Sequence, residues 1–202
     1  MKIIYAFMLL FGSVLLLGCD DDEEIPPPPP TEHVKVFLTS TAHDGNFIVN
    51  PPFPTGLEGA DATCTEVAHL AGQTGDWTAW LSDQTNDAAD RILDGGVPYK
   101  LLEGTIVANN KADLLDGTLV NPILIDESGN TVNGAFEVWT ATAADGINPG
   151  AGACTQWTVN DALIFGQIGR ADATDAEWTD VGGGNPCDVY NRLYCFANVI
   201  SN

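Results

Sequence analysis

The sequence predicts an α+β domain over residues 34–202, with one main helix, several short strands, long loops and two disulfides. Three observations carry that prediction. Short runs rich in β-branched and aromatic residues recur between turns rich in Gly, Pro and Asn. Sustained helical periodicity occurs in one stretch, 56–72. Four cysteines, Cys64, Cys154, Cys187 and Cys195, follow an N-terminal export signal.

The N-terminal segment reads as that signal. Lys2 is the only charge before Cys19, and 3–17 is apolar apart from one Gly and one Ser. A short positive start and an apolar core describe a signal peptide, and the run is short for a span, which needs about 20 apolar residues. Leu16, Leu17 and Gly18 lead into Cys19, an arrangement that resembles the lipobox of bacterial lipoproteins. Residues 1–18 are therefore expected to be cleaved and Cys19 to be acylated, anchoring the chain to a lipid bilayer through its acyl chains. Five acids (20–24) and five prolines (26–30) follow. Solvated acids and stiff polyproline make a spacer rather than part of a fold. Residues 19–33 are thus assigned to a tether, of which 20–33 reach at most ~45 Å.

Residues 34–40 read as a strand. After a Gly/Pro/Asn-rich loop, Thr55 and Glu58 have capping-box spacing. Leu57, Ala60, Cys64, Val67 or Ala68, and Ala71 then recur on one helical face, and Gly72 and Gly75 end the run. Residues 77–81 form a short strand, 86–93 one or two helical turns, 98–107 an irregular strand pair, and 111–115 another helical turn. Residues 121–126 and 131–136 flank Ser128, Gly129 and Asn130 as a hairpin. The last strand is 192–199, with Leu193, Cys195 and Ala197 alternating onto one face. Counting alone leaves three disulfide connectivities. Cys64 on the buried helical face and Cys195 on a terminal strand favour a mutual bridge, which leaves Cys154 to Cys187.

Composition excludes several function classes. Within 34–202 there are 22 acids and six bases, a net charge of −16. The absence of a basic patch argues against nucleic acid and against direct binding of anionic polysaccharide. No Cys-x-x-Cys suggests zinc or thiol redox chemistry. Nor is there a Gly-x-Ser-x-Gly, a His-Glu-x-x-His or a phosphate loop, so no enzyme activity is expected.

A longer pattern runs through the domain. It comprises Gly59-Ala60-Asp61-Ala62-Thr63-Cys64, Trp80-Leu81-Ser82-Asp83, Ala89-Asp90-Arg91, Pro98-Tyr99 and Trp139. Cys154-Thr155-Gln156-Trp157, Cys187 and Arg192-Leu193-Tyr194-Cys195-Phe196 complete it. This resembles the endostatin branch of the C-type-lectin-like superfamily, and more closely a bacterial lipoprotein family on that fold. The resemblance implies twisted antiparallel sheets with the helix packed beside them, and the nested pairing Cys64–Cys195 and Cys154–Cys187. The calcium-binding tripeptides of sugar-binding lectins are missing, as are the His-x-His start and basic face of endostatin.

Two sets of candidate residues remain. Asp172, Asp175, Glu177 and Asp180 could supply oxygen ligands to Ca²⁺, or form a solvated loop. No cofactor is required. Trp77 and Trp178 sit at element edges beside Asp and Gly and could offer exposed rings to a ligand, or be buried structural residues, whereas Trp80, Trp139 and Trp157 are expected in the core. His69 is expected on the helix surface. Together these readings predict a lipid-anchored recognition or adhesion module of the bacterial cell envelope, on the periplasmic face of a membrane or at the cell surface. It would bind a protein or glycan partner through its loops. A structural envelope protein, and then a hydrolase of envelope polysaccharide, are the alternatives.

Overall fold

The structure, a computed structural model, describes residues 32–48, 52–150 and 152–202. Residues 1–18, expected to be a signal peptide, and Cys19 lie outside the described residues. Of the tether only Glu32 and His33 are described, and His33 already begins the first strand.

Two sheets and one long helix organise the domain. The strands are β1 (His33–Leu38), β2 (Trp77–Ala79), β3 (Tyr99–Leu101), β4 (Ile106–Ala108), β5 (Glu137–Trp139), β6 (Phe165–Arg170), β7 (Gly184–Pro186) and β8 (Tyr194–Ser201). The helices are α1 (Gly56–Leu70), α2 (Ala88–Arg91) and α3 (Lys111–Leu114), with a 3-10 turn at Ala176–Trp178. One sheet has the order β2-β8-β1-β3-β4 and the other β5-β6-β7. The fold is therefore mixed α+β, as its patterning predicts. One detail differs from a purely antiparallel expectation: β1 and β3 pair in parallel, Val34 opposite Tyr99 and Val36 opposite Leu101.

The sequence explains the main elements. Thr55 accepts the Glu58 N–H at 3.2 Å and starts α1, which buries Leu57, Ala60, Cys64 and Ala68 against the first sheet. Gly59 is required inside this helix, because a Cβ there would overlap the Phe47 carbonyl. β8 lies between β1 and β2. Its buried half, from Tyr194 to Ala197, faces the core, while Val199 and Ile200 are exposed. Arg192 and Leu193, expected in this strand, instead cross between the sheets. Arg192 exchanges backbone hydrogen bonds with Glu137 and Trp139, and Leu193 bonds Thr39. The hairpin expected across 121–136 reduces to a single bridge, Ile125 to Thr131. Asp126 accepts from Ser128 N and Asn130 N and curls the turn, while Glu127 turns away to Ser40.

Two disulfides, both with fully buried sulfurs, close the domain: Cys64–Cys195 ties α1 to β8, and Cys154–Cys187 ties two loops of the second sheet. Next to the second bridge the backbone is unusual. Cys154, Thr155, Gln156 and Trp157 all have positive φ, 44°, 53°, 59° and 62°, and form one left-handed turn. Trp157 N donates to Ala153 O at 2.6 Å, and its indole N–H donates to Ser82 O at 2.8 Å.

Between the sheets lies a buried polar cluster. The Trp80 indole donates to Thr179 Oγ1, which donates to Thr142 O, while Thr140 Oγ1 donates to Thr179 O. Nearly every buried polar atom here is satisfied by another segment, so the cluster fixes the register of the two sheets. Among the described residues no helix is long and apolar enough to cross a membrane.

Candidate binding groove

Strand β2 is the edge of the larger sheet, paired with β8 on one side only. An open edge carries unpaired N–H and C=O groups that invite another strand. Here α1 seals it. Thr65 Oγ1 accepts Trp77 N–H at 2.9 Å and donates to Trp77 O at 3.4 Å. Asp61 Oδ1 accepts Ala79 N–H at 2.9 Å. His69 Nε2 lies 2.9 Å from Gly75 O, so this nitrogen carries the proton and donates. Residues 61, 65 and 69 thus meet 75, 77 and 79. The match is geometric, since four helical residues rise about 6.0 Å and two strand residues advance about 6.6 Å.

Arg91 completes the seal. Its guanidinium donates to both Asp61 oxygens, at 2.6 and 2.7 Å, and to Ala79 O and Leu81 O at 2.9 and 2.7 Å. Burial pushes the Asp61 carboxyl above its ordinary range; Arg91 and the Ala79 N–H pull it back only in part. Arg91 is the more buried partner, with 14% of its side chain exposed against 33% for Asp61.

With the inner row of α1 committed, the row beside it, Ala62, Glu66 and Leu70, stands over an open groove of about 720 Å³. Trp77 forms the floor, and Asp76 and Asn198 the opposite lip. Glu66 and Asp76 are exposed, and neither carboxylate has a hydrogen-bonded or ionic partner among the described residues. Leu70 is 82% exposed and also borders a second hollow of about 210 Å³ on its other side, beside Thr41, Val67 and Glu127. It is an apolar ridge between two depressions.

A further hollow of about 290 Å³ lies across the second sheet, walled by Gly152, Gly166, Gly183 and Gly184, with Phe165 half exposed at its side. Gln167 lines it, and its buried Oε1 has no partner.

The residues singled out by sequence fare differently. Trp77 and Trp178 are buried, at 1% and 0% exposure, so of their two readings the structural one holds and neither ring is open to a ligand. Trp77 packs against Phe37 at 4.8 Å, and Trp178 against Trp80 at 5.0 Å and Tyr194 at 5.6 Å. Neighbouring Asp and Gly residues mark the ends of elements and say nothing about what packs on the ring. Trp80, Trp139 and Trp157 are buried too. Asp172, Asp175 and Glu177 line one shallow hollow together with Arg170, while Asp180 lines another. Asp172 pairs with Arg170 at 2.7 Å, Asp175 accepts Glu177 N–H, and Asp180 accepts Gly182 N–H. Among the described residues no three His, Cys, Asp or Glu side chains could hold a metal ion together.

Glu66, Leu70 and Asp76 escaped the sequence reading, which named Trp77 alone of the groove's lining as a ligand contact. One signal for them was present: Leu70 falls outside the apolar stripe that contains Leu57, Ala60, Cys64 and Ala68. A single exposed apolar side chain is ordinary in itself, and this one gains meaning only from the groove beside it.

Residues 40–174, about two thirds of the chain, match the model of a family described as a protein of unknown function (DUF1554), and the chain belongs to it. No curated protein matches the chain.

Proposed function

We propose that this member of the DUF1554 family is a non-enzymatic recognition module, held at a bacterial envelope membrane by acyl chains on Cys19. On this reading the domain has a C-type-lectin-like fold and captures a partner in the groove beside α1. The carrying observation is the unequal use of the two rows of α1. Asp61, Thr65 and His69 are spent on sealing β2, whereas Glu66 and Leu70 face the groove without partners. Concave, part-apolar sites with a few polar groups are where proteins bind ligands. Two buried disulfides fit an oxidising compartment outside the cytoplasm, as the lipobox requires.

The test is site-specific photocrosslinking in intact cells. A crosslinking residue at position 70 is expected to give one discrete adduct, and one at position 103, in the exposed β3–β4 turn, none. No adduct at 70, or the same adducts at both positions, would sink the proposal. The adduct's identity separates a recognition module, which takes an outside partner, from a structural protein, which takes an envelope component.

A further inference from the structure

We infer that the occupant of the α1 groove is a short basic segment of a partner protein, in which Lys or Arg alternates with apolar side chains. The inference rests on the recognition reading and names the partner's chemistry.

Charge complementarity carries it. The two lips of the groove each bring a carboxylate without a partner, Glu66 from α1 and Asp76 from the loop before β2. The cation that reaches this region from within, Arg91, is already matched by Asp61 with both its oxygens. The groove therefore has negative charge to spare on both sides and apolar surface from Ala62 and Leu70 along the helical lip, with the buried Trp77 beneath it. A Lys or Arg side chain suits such a place: its methylenes cover apolar surface while its charge reaches the carboxylates. Leu70, 82% exposed, offers a contact for the apolar residues of the segment.

Length and edge chemistry fix the form of the segment. From Asp61 to Leu70 the helix runs about 14 Å, matching about four residues of extended chain. The partner does not join the sheet as an extra strand, because the N–H and C=O groups of β2 on this side are taken by Thr65, Asp61 and Arg91. Binding is through side chains, and the sealed edge stays sealed.

The decisive measurement is fluorescence anisotropy of labelled, capped hexapeptides with the full-length chain in detergent at about 0.15 M salt, where surface charges act over only ~8 Å. The probes are alternating Lys–Leu, Glu–Leu and Ser–Leu peptides. The Lys–Leu peptide is expected to bind, and Glu66→Gln with Asp76→Asn to weaken it about tenfold or more. Leu70→Ser is expected to weaken it as well. A control, Glu103→Gln with Glu137→Gln, removes the same number of charges elsewhere and is expected to change affinity by less than about threefold. Equal losses in the two double variants would mean general attraction to an acidic protein and would overturn the inference. So would Glu–Leu binding as tightly as Lys–Leu. A crosslink from position 70 in cells without Lys–Leu binding overturns this inference and leaves the recognition reading standing, whereas loss of both removes both.

Discussion

Two buried or half-buried aspartates in this domain respond to pH in opposite senses. Asp83 is 4% exposed. Burial alone would raise its pKa, but the backbone and side chains of Thr85 and Asn86 all donate to it and together hold it below the ordinary value. Its stabilising contribution is therefore complete above the unfolded pKa, near 4, and is lost as pH falls through the lower folded value. Asp83→Ala is expected to cost about 2 kcal/mol at pH 7, measured by urea denaturation, and the gap to wild type should close in strong acid. A gap that persists there would show that the turn is held by something other than the charge. Asp61 runs the other way. Its folded pKa is raised, so its ionisation costs stability as pH climbs above the ordinary carboxylate value. Its value to the fold lies instead in partners: Asp61→Ala strips Ala79 N–H of its acceptor and leaves Arg91 uncompensated. The expected loss is about 2–3 kcal/mol, with concentration-dependent self-association as the β2 edge opens. A monomeric variant within about 0.5 kcal/mol of wild type would refute the sealing role.

The left-handed turn Cys154–Trp157 is the element furthest from what its residues prefer. None is Gly, Asn or Asp, and this conformation costs an ordinary residue about 1–2 kcal/mol. It is imposed from outside: by the bridge to Cys187, by the Trp157 indole on Ser82 O, and by Phe47 N donating to Trp157 O at 3.0 Å. Thr155 and Gln156 are exposed, so replacing either with Gly relieves the strain without removing packing. Thr155→Gly should stabilise by about 0.5–1 kcal/mol, the strain relieved less the greater freedom of the unfolded chain. Thr63→Gly, in the right-handed α1, should destabilise by about 0.5 kcal/mol. Thermal melts of both variants check the pair, and destabilisation by both would reject the strain. The same contrast explains what was legible in the sequence. Helix α1 was, because its cap, apolar stripe and terminating glycines are local signals. So were β1, the β3–β4 pair and the short helical turns at Ala88–Arg91 and Lys111–Leu114. The turn at 154–157, the crossover at Arg192 and the curled 126–130 loop were not, because each is decided by partners far along the chain. The groove was missed for a related reason. Only the meeting of α1 with residues 75–79 shows that one helical row is occupied and its neighbour is not.

At the scale of the molecule, closure depends on cysteine chemistry as much as on the core. Cys64–Cys195 spans 131 residues and joins α1 to β8, the strand between β2 and β1 in the larger sheet. Cys154–Cys187 spans 33 residues and holds the loops around the strained turn. In the chain-entropy treatment these contribute about 5 and about 4 kcal/mol respectively. A domain of this size has a net stability of about 5–15 kcal/mol, so the two bridges are comparable with the whole margin. Both bridges are closely enclosed: the sulfurs are fully buried, and at the second a Cβ on Gly45 would collide with Cys154 Sγ. Folding is thereby coupled to the compartment. A chain lacking residues 1–18 and made in a reducing cytoplasm is expected to have little stable fold, with a urea midpoint far below that of the exported chain, and to regain it on oxidation. Cys64→Ala with Cys195→Ala should lower stability more than Cys154→Ala with Cys187→Ala, in the order of loop lengths. If the reduced chain unfolds at the same urea concentration as the oxidised one, the bridges are incidental. The bridges would then lend the proposed export no support, and that proposal would rest on the lipobox-like residues before Cys19 alone, tested by loss of palmitate labelling in Cys19→Ala.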